Sequence, residues 1–241
     1  MRVIRKPRFL LVYPLAVWLF WVAAPTETSF RFGILFVLLG EIVRLWANGY
    51  VGHVKVNWTQ KLPNEPKIGR LTTGGPYAYV RHPLYFGTFL IGTGFCIIVG
   101  NVWVGLVALV FFLLIYRWRM TKEEAILFDE WGEAFTQYQR NVPRWLPTGR
   151  RNPDPHGQWS WEGIKASKEL KTLVWVLVLL IVMYFRGELI NERESFLKHH
   201  GLKHVLLLGL MILLILGDVT YELVRRRHRR HQSGTPAPQG V

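Results

Sequence analysis

The hydrophobic residues of this chain lie in uncharged blocks, which polar and basic segments separate. The blocks free of Asp, Glu, Lys and Arg cover residues 9–26, 83–116, 172–185 and 205–217. A helix needs about 20 mostly apolar residues to cross a bilayer, whereas the second block would form a single helix of about 50 Å at the usual rise. That length suits two short crossings, and Gly100-Asn101 predicts the turn between them. The pattern therefore predicts a polytopic membrane protein.

These blocks, together with one weaker segment, predict an all-α transmembrane helix bundle of about six spans. The weaker segment contains Glu41 and Arg44, which at this spacing can face each other on a helix and make insertion tolerable. The predicted helices cover residues 9–25, 30–49, 83–99, 102–118, 171–186 and 203–224. We expect the fourth helix to continue beyond the apolar block through Glu133.

The same alternation divides the chain into a central core and flanking parts of different character. The polar loop between the second and third helices is rich in Gly and Pro, which precludes a long helix there. The predicted parts are an N-terminal transmembrane hairpin (1–50), a core with an inside loop, the transmembrane hairpin 83–118 and a cytoplasmic helix (51–147), a linker with an interfacial helix (148–170), a C-terminal transmembrane hairpin (171–224) and a basic disordered tail (225–241).

The net charge of +14 allows a nucleic-acid partner, but the placement of the basic residues favours a membrane. If six spans leave both termini in the cytoplasm, the inside segments hold 24 of the 30 Lys and Arg residues. Cytoplasmic segments of membrane proteins carry such an excess, and part of it can bind anionic lipid headgroups. We therefore expect an integral protein of a cell inner membrane or endomembrane, with cytoplasmic termini and no nucleic-acid partner.

The most distinctive polar cluster lies at the foot of the third predicted helix, within residues 75–87. It contains Tyr77, Arg81, His82 and Tyr85. A lone histidine at a membrane edge is more often structural, but charges and imidazoles are costly at that depth and mark functional sites. Proline follows the histidine and suits the first turn of a helix, whose free N–H groups suit an anionic ligand.

A second polar cluster, formed by Arg119, Glu123 and Glu124, follows the fourth predicted helix. The cluster could be a solvated helix face without further function. Adjacent carboxylates point in different directions on a helix, so one of them could face the bundle. A buried carboxylate would need a cationic partner, which could be Arg119 one turn earlier or a cationic ligand. The predicted hairpin would bring this cluster next to the first one.

Aromatic residues recur along the polar continuation of the fourth helix. Phe128, Trp131, Phe135 and Tyr138 are spaced by three, four and three positions, which places them on one helix face. This face either packs on the bundle or in the membrane interface, or it forms one wall of a ligand pocket. A Pro-containing segment that includes Arg144 ends the element.

The two clusters together resemble the signature of the isoprenylcysteine carboxyl methyltransferases and their phospholipid methyltransferase relatives. The matching positions are Gly75-Pro76-Tyr77, Arg81 to Gly87, Glu123-Glu124, Trp131-Gly132, Tyr138 and Leu146-Pro147. The resemblance covers about residues 50–147, some two fifths of the chain. Both halves at this spacing are considerably more specific than the Arg-His-Pro part alone.

The resemblance implies an S-adenosylmethionine-dependent methyltransferase, with the cofactor bound on the cytoplasmic side by the segment after the fourth span. The cofactor-binding residues that it implies are His82, Tyr85, Glu123, Glu124, Tyr77 and Arg81. Arg119 would orient the methyl acceptor, and His82 with Arg119 would be the catalytic residues. Arg144 and Tyr138 are further candidates for acceptor binding, and no metal site is expected.

The sequence leaves the methyl acceptor open. A carboxylate, as in an isoprenylcysteine, is ionised near pH 7 and needs no general base, whereas an amine or thiol would require His82 or a glutamate to take a proton. Only two glutamates stand between Lys122 and Ala125, where several relatives have more, and the hairpin 171–224 lies outside the resemblance. We expect a membrane lipid or a lipidated small molecule as acceptor.

Two other functions stay open at this point. Membrane sterol-type reductases that use NADPH carry a similar histidine-proline-tyrosine motif. A reductase function does not account for the segment from Glu-Glu to Leu-Pro. A non-catalytic lipid-binding or assembly protein would also account for the basic inside surface and the extra hairpin. The sequence does not define the oligomeric state.

Overall fold

The computed structural model describes residues 20–51, 71–167, 169–191 and 201–233. Within these ranges every regular element is a helix, as the sequence predicts. The helices are numbered α1 to α6 here, and a short 3₁₀ turn precedes α2. Their bounds are α1 Glu27–Val51, the 3₁₀ turn Gly75–Ala78, α2 Pro83–Val99, α3 Val102–Asn141, α4 Trp161–Ala166, α5 Glu169–Asn191 and α6 Leu202–Ser233.

The turn between α2 and α3 forms where the sequence predicts it. Gly100 ends α2 with a left-handed φ of 73°, a conformation that favours glycine. Asn101 then caps α3, because its side-chain oxygen accepts hydrogen bonds from the backbone N–H groups of Trp103 and Val104. The two helices therefore form the predicted hairpin.

α3 is longer than predicted and contains one bend. It continues past Glu133 to Asn141, and at Gly132 the backbone leaves helical geometry with φ 47° and ψ −117°. Only glycine adopts a positive φ of this kind without strain. Beyond the bend, buried side chains pack against Leu71, which precedes α2, and against the preceding turns of α3. This cluster consists of Phe135, Tyr138 and Val142, with Leu71, Leu127 and Trp131 packed against them.

Glycines allow α1 and α2 to pack backbone against backbone. A Cβ atom on Gly40 would lie 2.6 Å from the carbonyl oxygen of Gly87, and one on Gly94 would lie 2.5 Å from that of Gly33. Small residues permit such close helix contacts. The contact brings Arg44 of α1 beside the first turns of α2, where a Cβ on Gly87 would lie 2.6 Å from the Arg44 Cγ.

Residues 150–170, here termed the strap, are bound to the core by backbone hydrogen bonds, although the sequence predicts a linker and an interfacial helix. The N–H of Asn152 donates to the carbonyl of Ala78 at 2.8 Å, and the N–H of Ser160 donates to the carbonyl of Gly49 at 2.9 Å. α4, with six residues, is shorter than the predicted interfacial helix. The strap therefore follows the end of α1 and the loop before α2.

Three described helices are long and apolar enough to cross a membrane, namely Val102–Asn141, Glu169–Ile190 and Leu202–Val224. α2 is a shorter apolar helix of 17 residues. Most of the predicted helix 9–25 lies outside the described residues. Of its described part, residues 20–22 are helical. The protein is thus a membrane protein whose described residues form helices alone as regular elements, and the total of six spans stays a prediction.

The chain divides into two compact units at Leu170. The first unit contains α1 to α4 and both polar clusters. In the second unit, ion pairs join α5 to α6, since Lys171 Nζ lies 3.0 Å from Asp218 Oδ2. α6 runs to Ser233 and so includes residues that the sequence assigns to a disordered tail. Arginine is a good helix former, which accounts for the extension.

Candidate active site

His82 lies at the N-terminus of α2, where the two predicted polar clusters meet. Its ring Nε2 is 3.1 Å from Glu124 Oε1, and its Nδ1 is 3.7 Å from Glu123 Oε2. The imidazole is buried, and the backbone N–H of His82 donates to the carbonyl of Arg144 at 3.2 Å. Side chains 42 positions apart are in contact because α2 and α3 form one tight hairpin.

Glu124 is the centre of a buried ion cluster. Its Oε2 accepts hydrogen bonds from Arg144 Nε at 3.0 Å and Nη2 at 2.5 Å, and Arg81 Nη1 lies 3.2 Å from its Oε1. This part of α3 follows Arg117 and lies beyond the apolar block. Burial opposes ionisation of Glu124, but the hydrogen bonds from His82 and Arg144 and the charge of Arg81 outweigh it and lower its pKa to about 2. The ionised carboxylate therefore joins α3 to the segments on either side of the hairpin.

Glu123 has different surroundings from its neighbour. It accepts a hydrogen bond from the Tyr85 hydroxyl, and its side chain is 22% exposed. Burial raises the pKa of Glu123, and the Tyr85 hydrogen bond and the charges of His82 and Arg119 offset this only in part. Among the described residues, Arg119 does not form the ion pair with Glu123 that the spacing of four positions allows. Its guanidinium lies 6.0 Å from the centre of the Tyr116 ring. The partly buried Glu123 carboxylate therefore remains able to accept a cationic ligand.

A cavity of about 380 Å³ opens beside these residues, a volume in the range of small-molecule sites. We refer to it as the polar cavity. Its polar lining consists of Arg44, Thr72, Tyr77, Arg81, His82, Tyr85, Thr88, Tyr116, Arg119, Glu123 and Tyr138. Seven of the nine predicted site residues are in this lining. The other two, Glu124 and Arg144, pair with each other instead.

Tyr138 joins the bent end of α3 to the loop before α2. Its hydroxyl donates to the backbone carbonyl of Tyr77 at 2.6 Å. Tyr138 also lines the polar cavity, whereas Phe135 is buried and Phe128 is exposed. The C-terminal end of the aromatic stripe therefore packs on the core, and its last member, Tyr138, also lines the cavity.

Arg44 lines the polar cavity, although it is not among the predicted site residues. The expected pairing with Glu41 is wrong, because the Arg44 guanidinium bonds to Glu169 of the strap, with Nε 2.6 Å from Oε1 and Nη2 3.0 Å from Oε2. The Glu41 carboxylate has no hydrogen-bond partner among the described residues. An arginine inside an apolar segment is costly, and that cost was the available signal.

The fold and the cavity define a class of protein, namely a membrane protein whose described part is helical and contains a cavity with charged lining residues at the foot of an apolar hairpin. Comparison with known proteins confirms the resemblance that the motifs indicate. The model of the isoprenylcysteine carboxyl methyltransferase (ICMT) family matches residues 33–129. This range includes α2, most of α3 and both polar clusters, and it ends before Arg144 and the strap.

Individual relatives include proteins that carry the name of this family and one that does not. The protein-S-isoprenylcysteine O-methyltransferase of Schizosaccharomyces pombe is 31% identical over 147 residues, which cover 60% of this chain and 56% of the relative. The Homo sapiens protein of the same name is 32% identical over 116 residues, with coverages of 48% and 40%. The cobalt-zinc-cadmium resistance protein CzcN of Cupriavidus metallidurans is 29% identical over 153 residues, or 63% of each chain. The chain spans about half the length of the first two relatives.

Proposed function

We propose that this protein is an integral membrane methyltransferase, which transfers a methyl group from S-adenosylmethionine to a carboxylate on a lipidic acceptor. The observation that supports this most is the meeting of His82, Tyr85 and Glu123 at one cavity, from the two ends of an apolar hairpin. The names of the two isoprenylcysteine O-methyltransferase relatives support the same class of reaction.

The charges around the polar cavity fit the methyl donor. S-adenosylmethionine carries an ammonium and a carboxylate in addition to its sulfonium, and when bound it supplies a methyl group whose bond to sulfur breaks as the acceptor oxygen takes it. Glu123 can accept hydrogen bonds from the ammonium, which would offset the burial that raises the pKa of this carboxyl. Arg81 and His82 can donate to the carboxylate, since the buried Arg81 Nε has no partner among the described residues. Tyr77 and Tyr85 would complete the cofactor contacts.

Arg119 is the residue that we assign to the acceptor carboxylate. Among the described residues it is the cavity-lining arginine without a carboxylate partner, because Arg44 pairs with Glu169 and Arg81 pairs with Glu124. A guanidinium binds a carboxylate through two parallel hydrogen bonds. The acceptor is ionised near pH 7, so its positioning, rather than the removal of a proton, would supply most of the rate.

The remaining predicted residues take supporting roles in this proposal. His82, whose Nε2 is held by Glu124 at 3.1 Å, binds and orients rather than acting as a base. Arg144 fixes the same carboxylate from the other side. Tyr138, in the wall of the polar cavity, stays a candidate contact for the acceptor.

A second, apolar cavity supports a lipidic acceptor. It measures about 520 Å³ and lies between α2 and α3, where Phe89, Cys96, Leu109 and Phe112 contribute to its wall. Phe112 also stacks on Tyr116 of the polar cavity, with ring centroids 4.1 Å apart. A hydrocarbon chain in the apolar cavity would therefore place its polar head beside Arg119 and the donor.

The proposed location of the site is the cytoplasmic side of the membrane. Arg117, Arg119 and Lys122 follow the apolar part of α3, and such residues are enriched on that side. This orientation agrees with six spans and with cytoplasmic termini.

A methyl-transfer assay with a matched pair of acceptors tests the proposal. Protein in lipid nanodiscs would receive methyl-labelled S-adenosylmethionine with either an S-farnesyl cysteine derivative that has a free carboxylate or the same compound as its carboxamide. We expect a base-labile methyl ester from the carboxylate alone. Methyl label in the carboxamide compound would show that the methyl group is transferred to a group other than the carboxylate. Absence of transfer to either compound and to membrane lipid extracts would contradict the proposal.

A further inference from the structure

Arg44 and Glu169 form a salt bridge between the core and the strap, at the edge of the polar cavity. The two hydrogen bonds of this bidentate pair measure 2.6 Å and 3.0 Å between donor and acceptor atoms. The side chains of Arg44 and Glu169 are 16% and 2% exposed, so the carboxylate is buried and the guanidinium is largely buried. Arg44 lies within the range that matches the family model, and Glu169 lies 40 positions beyond its end at 129.

We infer that Arg44 is an anion-binding residue of the polar cavity and that Glu169 is a positioning residue, which fixes the Arg44 guanidinium at the cavity wall. This inference rests on the proposed function, because it assigns a further contact at the same site. It gives the strap a role in ligand binding that lies outside the matched range.

The hydrogen bonds of Arg44 leave part of its guanidinium available to a ligand. A guanidinium has five N–H groups. Two of them bind Glu169, and one on Nη1 donates to the Thr88 hydroxyl oxygen at 2.5 Å. The Thr88 hydroxyl in turn donates to the carbonyl of Leu84 at 2.8 Å, which fixes its lone pair toward Arg44. Two N–H groups, one on each terminal nitrogen, remain at a residue that lines the cavity.

Local contacts hold Glu169 in a single position. The Glu169 backbone N–H donates to the Ser167 hydroxyl oxygen at 3.2 Å, at the junction of α4 and α5. α4 is fixed on the end of α1, because Ser160 caps it and a Cβ on Gly163 would lie 2.9 Å from the carbonyl oxygen of Gly49. A guanidinium that is held by a fixed carboxylate is preorganised for a second anion.

The ligand group that this arrangement would recognise is a carboxylate. Planar, paired N–H donors match the two oxygens of a carboxylate, and two such groups enter the cavity in the proposed reaction. One is the carboxylate of the methyl donor, and the other is the carboxylate of the acceptor. Arg44 would bind one of them, while Arg119 or Arg81 binds the other.

Calorimetric titration in lipid nanodiscs can separate these two sources. S-adenosylhomocysteine contains the donor carboxylate, and 5′-methylthioadenosine lacks it. If Arg44 binds the donor, Arg44→Gln should lower the affinity for S-adenosylhomocysteine at least about tenfold and leave the affinity for methylthioadenosine within about twofold of the wild-type value. If Arg44 binds the acceptor, both affinities should stay unchanged, and the acceptor KM should rise at least about tenfold. Either result supports the inference.

A charge-swapped variant separates ligand binding from a purely structural role. Arg44→Glu combined with Glu169→Arg retains an ion pair between α1 and the strap, so thermal stability should return toward the wild-type value. The ligand affinity or acceptor KM lost in Arg44→Gln should not return. Recovery of both in the swapped variant would overturn the inference, as would a folded Arg44→Gln protein with unchanged affinities and KM.

The wild-type protein in the same titration distinguishes this inference from the proposed function. Wild type that binds neither S-adenosylhomocysteine nor methylthioadenosine would overturn the proposed function and the role of Arg44 with it. Wild type that binds, together with Arg44→Gln that behaves identically, would overturn the role of Arg44 alone.

Discussion

Replacement of Glu124 by glutamine is predicted to remove the electrostatic centre of the site. Its carboxylate lies within 3.2 Å of His82, Arg81 and Arg144. Glutamine has the same shape but leaves two arginines without their counter-charge. Removal of one partner from a buried ion pair is strongly destabilising, because the remaining charge is uncompensated.

The magnitude follows from the pKa of this carboxyl. The ordinary value is 4.5, and its surroundings lower the pKa to about 2. At about 1.4 kcal/mol for each pH unit, the ionised carboxylate contributes about 3 kcal/mol to the free energy of unfolding. A lowered pKa gives stability that is fully present above pH 4.5 and is lost as the pH falls toward 2. The glutamine variant lacks this contribution at every pH.

Thermal unfolding between pH 3 and pH 7 measures this difference. Near pH 7 we expect Glu124→Gln to unfold roughly 6–12 °C below the wild type, using roughly 2–4 °C for each kcal/mol in a chain of this size. The gap should narrow below pH 4.5, because the Glu124 carboxyl of the unfolded wild-type chain is protonated there while that of the folded protein is still ionised. Glu130→Gln, at an exposed position on the same helix, is the matched control and should follow the wild-type curve. A constant gap across this pH range, or a Glu124→Gln protein as stable as the control at pH 7, would refute the reasoning.

Other substitutions test separate parts of the site. Arg119→Gln should raise the acceptor KM at least about tenfold and leave the affinity for S-adenosylhomocysteine within about twofold; an equal loss of both would show that it does not act on the acceptor. Tyr138→Phe should lower the free energy of unfolding by about 1 kcal/mol, because the Tyr77 carbonyl loses its donor; unchanged thermal stability would contradict that bond. Gly87→Ala should destabilise the protein by about 1–3 kcal/mol in the same assay, since its Cβ would lie 2.8 Å from the Gly40 carbonyl oxygen; a neutral effect would argue against the close packing of α1 on α2.

Much of the fold could be predicted because local signals mark the ends of the central helices. Pro83 and Gly100 lie at the two ends of α2, whose observed bounds equal the predicted ones. The bend at Gly132 was not predicted, since an isolated glycine in a helical pattern is usually tolerated without one. The strap was predicted as a linker because bonds such as those from Asn152 to Ala78 and from Ser160 to Gly49 run between backbone groups, which leave no pattern in side-chain type.

The site could be predicted where residues act through local spacing or through the family motif. His82, Tyr85 and Glu123 belong to that motif and line one cavity. The partners of Arg44 could not be predicted, because Glu169 lies 125 positions away and a helical pattern reports only on near neighbours. Its bidentate bond to Glu169 replaces the expected pairing with Glu41, three positions earlier in the same helix.

Binding of S-adenosylhomocysteine to the purified protein tests the central claim most directly, because that claim is that the two motif halves jointly hold the methyl donor. Calorimetry in nanodiscs should give one binding site for the wild type and an affinity at least about tenfold weaker for Glu123→Gln, with Glu130→Gln unchanged. No binding by folded wild-type protein at millimolar ligand, or equal affinity for Glu123→Gln, would contradict the account.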